Sequence, residues 1–160
     1  MQDTPPRQKI LIVEDEMALR QVLSFFLKQN DYEVLEASNG QEAIRIIAEL
    51  EPQLIILDLV MRPVSGWEVL HWLRDQQLLS RIPVLVVSAL VRLQEQMHGF
   101  EEGAIEYVTK PTRPSLIVER VKDILSLSTE QRIMLRHKHL DDQRKTIENV
   151  FAPPPEGFAY

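Results

Sequence analysis

The segment LIILDLV, residues 54–60, limits the possible folds of this chain more than any other. Its four leading apolar residues suit a strand in the middle of a β-sheet, yet a single carboxylate, Asp58, follows them before the apolar run resumes. Burying a carboxylate is costly unless a partner compensates its charge. We therefore expect Asp58 to stand at the end of a buried strand, where other groups of the chain meet it.

Other apolar runs predict four more strands. The runs at 10–13 and 84–87 are apolar throughout and predict central strands, whereas the mixed runs at 33–37 and 105–108 predict edge strands. Between the strands, apolar residues recur every three or four positions, which predicts helices. The helical stripes are Leu19, Val22, Leu23 and Phe26; Ala43, Ile44, Ile47 and Ala48; Trp67 to Arg74; Leu90, Leu93, Met97 and Phe100; and Ile117, Val121, Ile124 and Leu125, after Pro114.

The alternation of strand and helix predicts an α/β fold with a doubly wound, five-stranded parallel sheet. Right-handed crossovers, with the apolar runs inside, give the strand order 2-1-3-4-5. That order reverses direction once, between strands 1 and 3, and ligands of such sheets bind beyond the carboxyl ends of the strands at this point. Glu14, Asp15 and Asp58 follow strands 1 and 3, so we expect the site there.

The three predicted site carboxylates would repel one another, and a bound divalent cation is the simplest way to relieve the repulsion. Because all three ligands are oxygen, Mg²⁺ or Mn²⁺ is favoured over zinc. A second interpretation stays open, in which residues 14–16 form a solvated acidic turn and Asp58 merely caps a strand.

A hydroxyl and a cation are expected at the same edge of the sheet. Ser88 follows the fourth apolar run and Lys110 follows the fifth. Together with a metal ion they would form a clamp for a phosphoryl group, with the Asp58 carboxylate as the nucleophile. Taken singly, Lys110 could be a surface lysine and Ser88 a helix N-cap.

Five separately placed segments carry a resemblance to a known family: KILIVEDE, LIILDLV, PVLVVSA, GAIEYVTKP and the fifth helical stripe. In sequence and spacing they resemble the receiver domain of two-component response regulators over residues 8–127. The resemblance implies a flavodoxin-like fold and a signalling switch. Such a switch accepts a phosphoryl group from a histidine kinase or phosphotransfer protein. It then changes binding to a downstream protein, or to a second copy, through helix 4, strand 5 and helix 5.

The resemblance also implies roles for the residues of the phosphoryl site. Asp58 would accept the phosphoryl group and Lys110 would contact it. Glu14 and Asp15 would form the acidic pair that holds Mg²⁺, with Asp58 and the backbone carbonyl of Val60 as further ligands.

A second set of residues would read out phosphorylation. Ser88 would be the hydroxyl switch residue, and Tyr107 the aromatic one that moves inward as the hydroxyl engages the phosphate. Ala89 would keep the site open to a phosphodonor. The Lys110–Pro111 peptide bond would be cis.

The chain departs from the family pattern near Asp58. Arg62 stands where a proline is usual and Pro63 comes one place later, while Thr112 replaces an aromatic residue. Arg62 is either a cation that contacts a partner or an acidic neighbour, or an exposed loop residue. Val60 and Leu90 flank the path of the hydrolytic water in this family, and neither side chain can orient water by hydrogen bonding. We therefore predict slow autodephosphorylation.

The resemblance ends at residue 127. Ser128 and Gln131 predict a capping box at the start of a helical extension over 128–150, with Ile133, Leu140 and Ile147 at seven-residue spacing. This helix either packs on its own domain or binds a partner or a second copy. The HKH segment at 137–139 lacks further ligands, and we expect no metal there.

The end of the chain carries no recognisable output domain. Residues 151–160 predict an extended proline-rich tail. Too few residues follow the fifth helix for a DNA-binding output domain, so we expect a single-domain regulator or the receiver part of a longer one.

Composition excludes several classes. The chain has no cysteine, which excludes disulfides, thiolate metal sites and cysteine nucleophiles, and its net charge of −6 argues against direct nucleic-acid binding. No apolar run approaches the roughly 18 residues of a membrane span, so we expect a cytoplasmic protein without membrane contact.

Two rival functions stay open. One is a phosphorylation-independent interaction module that keeps the fold, which Arg62 favours. The other is a Mg²⁺-dependent phosphohydrolase, which the lack of a second acid close after Asp58 and of a Gly-rich loop disfavours. We expect no enzymatic turnover beyond the chain's own phosphorylation and slow dephosphorylation.

Overall fold

Residues 3–153 are described by a computed structural model. Within this part, strands and helices alternate five times, and a further helix follows. The strands are β1 (Lys9–Val13), β2 (Glu33–Ala37), β3 (Leu54–Leu57), β4 (Val84–Ser88) and β5 (Glu106–Thr109). The helices are α1 (Met17–Gln29), α2 (Gly40–Leu50), α3 (Gly66–Asp75), α4 (Leu93–Glu102), α5 (Pro114–Leu125) and α6 (Thr129–Phe151).

The five strands form one parallel sheet in the order β2-β1-β3-β4-β5. This confirms the predicted doubly wound α/β fold and its strand order. The uniformly apolar runs are central because helices cover both faces of the sheet there, and every residue of β3 and β4 is buried. The mixed run of β2 lies at an edge of the sheet. Only its last residue, Ala37, is buried, and the other four residues are half-buried or exposed.

Two apolar clusters hold the helices on the two faces of the sheet. On one face, α2, α3 and α4 contribute buried residues such as Ile47, Leu70 and Phe100. On the other face, α1 and α5 contribute residues such as Leu23 and Val121. Each helix buries one side against the sheet because its apolar residues recur at helical spacing.

The helical stripes differ from the prediction in detail. In α1 the buried residues include Leu23 and Leu27, whereas Val22 and Phe26 are 42% and 36% exposed. The assignment of Leu90 to the fourth helix is wrong, since α4 begins at Leu93. Leu90 stays in the loop because its N–H donates to Ser88 Oγ and its carbonyl accepts from the Tyr107 hydroxyl.

Helix α6 begins with the predicted capping box. Ser128 Oγ accepts from the N–H of Gln131, whose side chain accepts from the N–H of Ser128. Leu140 packs against the core, as expected, but Ile133 is 49% exposed and the buried side includes Leu135 instead. The helix thus packs on its own domain, mainly against α4.

Most of the predicted proline-rich tail, from residue 154 on, lies outside the described residues. Within residues 3–153, no helix is both long enough and apolar enough to cross a membrane.

Candidate functional site

The predicted site residues directly continue the hydrogen-bond ladder of the sheet. The N–H of Glu14 donates to Ala37 O (3.1 Å), that of Asp58 to Val13 O (3.0 Å), and that of Lys110 to Ser88 O (2.8 Å). Each of these residues is thereby tied to the neighbouring strand. Their side chains consequently meet at the carboxyl edge of the sheet, as the strand order predicted.

Lys110 joins the two buried acids of the site. Its Nζ lies 2.9 Å from Glu14 Oε2 and 3.1 Å from Asp58 Oδ2. The lysine side chain is 20% exposed, whereas those of Glu14 and Asp58 are 4% and 5% exposed. Lys110 is therefore a half-buried bridging cation and not an ordinary surface lysine.

Burial and ion pairing shift the pKa values of Glu14 and Lys110 in opposite directions. Burial raises the pKa of Glu14 to about 7, the hydrogen bond from Lys110 opposes the rise, and the negative charge of Asp58 adds to it. Burial lowers the pKa of Lys110, but the hydrogen bond to Glu14 and the charge of Asp58 outweigh burial and leave this pKa raised. The lysine stays charged, while Glu14 exchanges a proton near neutral pH.

Three carboxylates could hold a cation together. One carboxylate oxygen each from Glu14, Asp15 and Asp58 lie within 4.8 Å of one another, and among residues 3–153 no other group of three or more His, Asp or Glu side chains is arranged in this way. Asp15 is exposed, so a cation can reach the group from solvent. An all-oxygen donor set with one open side fits Mg²⁺. The segment at 137–139 gathers no such ligands, since His139 Nδ1 instead donates to Ile105 O (2.7 Å).

Arg20 supports the acidic loop and was not identified from sequence. Its Nη1 donates to the carbonyl of Glu14 (2.7 Å), and its Nε lies 3.5 Å from Glu36 Oε1. This contact holds the β1–α1 turn in place beside the cluster. No pattern around Arg20 distinguishes it from Lys28, the other charged residue of α1.

Gly66 is a second supporting residue that sequence reasoning missed. A Cβ at this position would lie 2.1 Å from the carbonyl oxygen of Asp58 and 2.6 Å from Leu59 Cα. Only glycine permits α3 to start this close to the β3 end. The capping box of Ser65 and Glu68 fixes the same helix start. The serine–glycine pair before the helical stripe indicates a helix start at residue 65–66, and from it this close approach could have been predicted.

Ser88 and Tyr107 form a second group behind the carboxylates. Ser88 is fully buried as the last residue of β4, and its Oγ accepts from the N–H of Leu90 (3.2 Å). Ser88 is not an N-cap, because α4 is preceded by Arg92. The Tyr107 hydroxyl donates to Leu90 O (2.7 Å), and the ring is 8% exposed, so it points inward. Burial raises the pKa of Tyr107 to about 12, with the Ser88 hydroxyl opposing the rise.

The loops beside the site hold the remaining predicted residues. The Lys110–Pro111 bond is cis, as predicted, and so is Arg62–Pro63. Arg62 is exposed, and within residues 3–153 it makes no ion pair. Arg62 therefore has no acidic neighbour within the described residues, and its contact with a partner stays a prediction. Asp58 Oδ1 accepts from the N–H of Val60 (3.0 Å), and the Val60 side chain is 53% exposed.

An open groove of about 590 Å³ leads to the lysine side of the site. It runs between α1 and the loop after β5, and its lining includes Ala89, Lys110 and Thr112. Ala89 is small and exposed in this lining, at the position where the resemblance implies an open approach for a phosphodonor.

Comparison with known proteins agrees with this geometry. A profile of the family described as "Response regulator receiver domain" matches residues 10–122. The probable transcriptional regulator ycf27 of Porphyra purpurea is 36% identical over 119 residues, which are 74% of this chain and 48% of that protein. The transcriptional regulatory protein SrrA of Staphylococcus aureus is 35% identical over 142 residues, which are 83% of this chain and 58% of that protein.

A solved structure shows the same fold. The structure of the Francisella response regulator 1452 receiver domain superposes with a TM-score of 0.71 at 26% identity, covering 75% of this chain and 98% of that one. The chain spans about half the length of the curated relatives it matches. The profile match covers well over half of the chain, and the fold is the one the family adopts. The chain therefore belongs to the family of response regulator receiver domains.

Proposed function

We propose that the chain is a phosphorylation-dependent signalling switch whose phosphoacceptor is Asp58. The contact of Lys110 Nζ with both Glu14 and Asp58 carries the proposal. It brings a cation, a nucleophilic carboxylate and an acidic partner to one point that a groove opens to solvent. The family is one of two-component signalling, in which receiver domains take phosphoryl groups from histidine kinases.

The transfer is a displacement at phosphorus. A carboxylate oxygen of Asp58 attacks the phosphoryl group of a phosphohistidine donor, the new P–O bond forms as the donor's P–N bond breaks, and the histidine nitrogen leaves and takes up a proton. Lys110 contacts the incoming phosphoryl oxygens, and its cis bond to Pro111 belongs to the loop that directs it.

Glu14, Asp15, Asp58 and the carbonyl of Val60 would hold Mg²⁺, which supplies neutralisation of the charge on the phosphoryl oxygens. Arg20 keeps the turn that carries Glu14 and Asp15 in place. Because Glu14 has a pKa near 7, it must lose its proton to serve as a ligand.

The readout depends on the group behind the carboxylates. A phosphoryl group on Asp58 offers new acceptor oxygens. The Ser88 hydroxyl turns to donate to them and gives up the hydrogen bond that it accepts from the N–H of Leu90. The β4–α4 loop then moves, and with it the Leu90 carbonyl that holds the Tyr107 hydroxyl. We propose the face of α4, β5 and α5 as the surface whose binding properties change.

The experiment combines a small phosphodonor with intact mass. The protein is incubated with phosphoramidate and Mg²⁺, alongside Asp58→Asn and the matched control Asp75→Asn, which changes an exposed carboxylate at the end of α3. We expect one phosphoryl group on the wild type and on Asp75→Asn, and none on Asp58→Asn. A wild type that takes up no phosphate would leave the phosphorylation-independent module as the function, and steady turnover of phosphoesters would indicate the phosphohydrolase.

The matched part of the relatives named as transcriptional regulators is about half of each protein. We therefore assign the receiver role alone to this chain. Its proposed partners are a histidine kinase or phosphotransfer protein as donor and a downstream protein, or a second copy, as recipient of the signal.

A further inference from the structure

Helix α6 crosses the free edge of the sheet. Leu140 packs into the cluster on the α4 side of the sheet, and Leu135 packs into the cluster on the α5 side. A helix that touches both clusters lies over β5, the strand at this edge. The helix therefore packs mainly against α4 and reaches the β5 edge, where His139 Nε2 lies 3.6 Å from Glu106 Oε2. It covers this part of the α4–β5–α5 face, through which the switch is proposed to act.

Polar contacts anchor α6, and none of its residues is fully buried. The Arg136 guanidinium donates to Phe100 O at 2.8 Å and 3.1 Å and to Glu101 O at 3.0 Å. These carbonyls lie in the last turn of α4, where a helix has no intrahelical donors of its own. At the other end of α4, Gln143 Nε2 donates to Leu93 O (3.4 Å). The two ends of α4 are thereby tied to one side of α6.

A continuous set of contacts joins α6 to the site. The His139 ring lies 5.3 Å from the Phe100 ring, and the Phe100 ring lies 6.3 Å from the Tyr107 ring, centroid to centroid. Tyr107 in turn donates to Leu90 O, next to Ser88 in the β4–α4 loop. A movement of that loop changes the support of Tyr107, and Tyr107 packs against Phe100, which is a residue that α6 contacts directly.

We propose that α6 is a strap that closes the α4–β5–α5 face, and that phosphorylation at Asp58 loosens it. This inference rests on the proposed function. The strap is suited to release because it is held by a few carbonyl contacts, the contact of His139 Nε2 with Glu106 Oε2 (3.6 Å) and two half-buried leucines, and not by a buried apolar face of its own. Movement of the β4–α4 loop acts on the hydrogen bond between Gln143 and Leu93 O, which lies at the end of this loop. Through Tyr107 it also acts on the Phe100 ring, against which His139 packs.

Hydrogen exchange by mass spectrometry on the full chain tests the strap. We expect the backbone amides of residues 135–147 to exchange at least several-fold faster after phosphorylation with phosphoramidate and Mg²⁺. The intact mass of the same sample reports whether phosphate was incorporated. If no phosphate is present, the proposed function itself fails and the inference with it. If phosphate is present and exchange in α6 is unchanged or slower, the inference alone is overturned.

Linkage gives a second, independent test. If phosphorylation loosens α6, then loosening α6 must favour the phosphorylated conformation by the same factor. We expect Arg136→Ala to bind beryllium fluoride, a phosphoryl mimic, several-fold more tightly in excess Mg²⁺ by calorimetry. The matched control is Arg144→Ala on the same helix, because Arg144 is 58% exposed and, among residues 3–153, pairs only with Asp141 at 3.6 Å.

Exchange in α6 should be faster in Arg136→Ala and unchanged in the control Arg144→Ala, and exchange in the central strands should be unchanged in both. His139→Ala removes the contacts of His139 with Ile105 O (2.7 Å) and Glu106 Oε2 (3.6 Å), and it serves if Arg136→Ala does not fold. A variant with loosened α6 but unchanged affinity for beryllium fluoride contradicts the coupling.

Discussion

Replacing Gly99 with alanine tests whether the inward position of Tyr107 is as tightly packed as the structure shows. Gly99 lies inside α4, and a Cβ there would stand 3.0 Å from Tyr107 Cε2 and 3.1 Å from Cδ2. Helix propensity alone favours alanine over glycine by about 1 kcal/mol. Overpacking costs typically about 1–3 kcal/mol. The ring would have to yield by a few tenths of an ångström, which its packing and the hydrogen bond of its hydroxyl to Leu90 O oppose. We therefore expect Gly99→Ala to lower the free energy of unfolding by about 1 kcal/mol.

A double-mutant cycle separates the two effects. In a Tyr107→Val background the ring is absent, so Gly99→Ala should raise the free energy of unfolding by about 1 kcal/mol, which corresponds to a coupling of about 2 kcal/mol. In a Tyr107→Phe background both ring carbons remain but the hydroxyl no longer holds the ring, so a smaller part of the loss should persist. The measurement is urea unfolding followed by circular dichroism, compared at equal m-values. If Gly99→Ala stabilises the wild type as much as the Tyr107→Val protein, the packing argument is wrong.

Four further outcomes are expected. Lys110→Met leaves two buried acids without their cation, so urea unfolding should show a loss of about 3 kcal/mol at pH 8 and a smaller loss at pH 5, where Glu14 is protonated. Tyr107 should ionise near pH 12, and a titration followed by absorbance at 295 nm should lose this step in Tyr107→Phe. Because the pKa of Tyr107 in the folded protein is raised from 10.0, its contribution to the free energy of unfolding is complete below pH 10 and is lost as the pH rises through 12. Ser128→Ala removes the cap of α6, which should lower the stability of the helix by about 1 kcal/mol and speed hydrogen exchange in its first turns. An unchanged exchange rate would show that the cap does not stabilise the helix. The phosphoryl group on Asp58 should persist well beyond seconds in a mass-spectrometric time course, since Val60 is apolar, and a lifetime of seconds would contradict this.

Strand-derived features were predictable from the sequence. Uniform apolar runs mark buried parallel strands, and the strand order then requires the residues at the carboxyl ends of these strands to converge. For this reason Glu14, Asp58 and Lys110 could be placed together before any coordinates were known. The same physical rule identified the β2 edge, because its glutamates cannot be buried on both faces.

Features that depend on close three-dimensional approach were not predictable. The contact of Gly66 with the Asp58 carbonyl arises from the path of the β3–α3 loop, and the hydrogen bond of Arg20 from the length of one side chain across a turn. Leu90 fits a helical stripe by spacing, but Ser88 and Tyr107 compete for its backbone groups. The side of α6 that docks was missed because Arg136 recognises backbone carbonyls, which every residue carries.

The position of α6 over β5 also bears on how the protein can be shortened. A chain cut after residue 127 would keep every segment of the family match, yet it would leave the β5 edge and the Leu135 and Leu140 contact surfaces open to solvent. An open strand edge can template pairing with a strand of another molecule. Such a shortened protein should be more prone to aggregate on concentration than the intact chain, even though its phosphoryl site is complete.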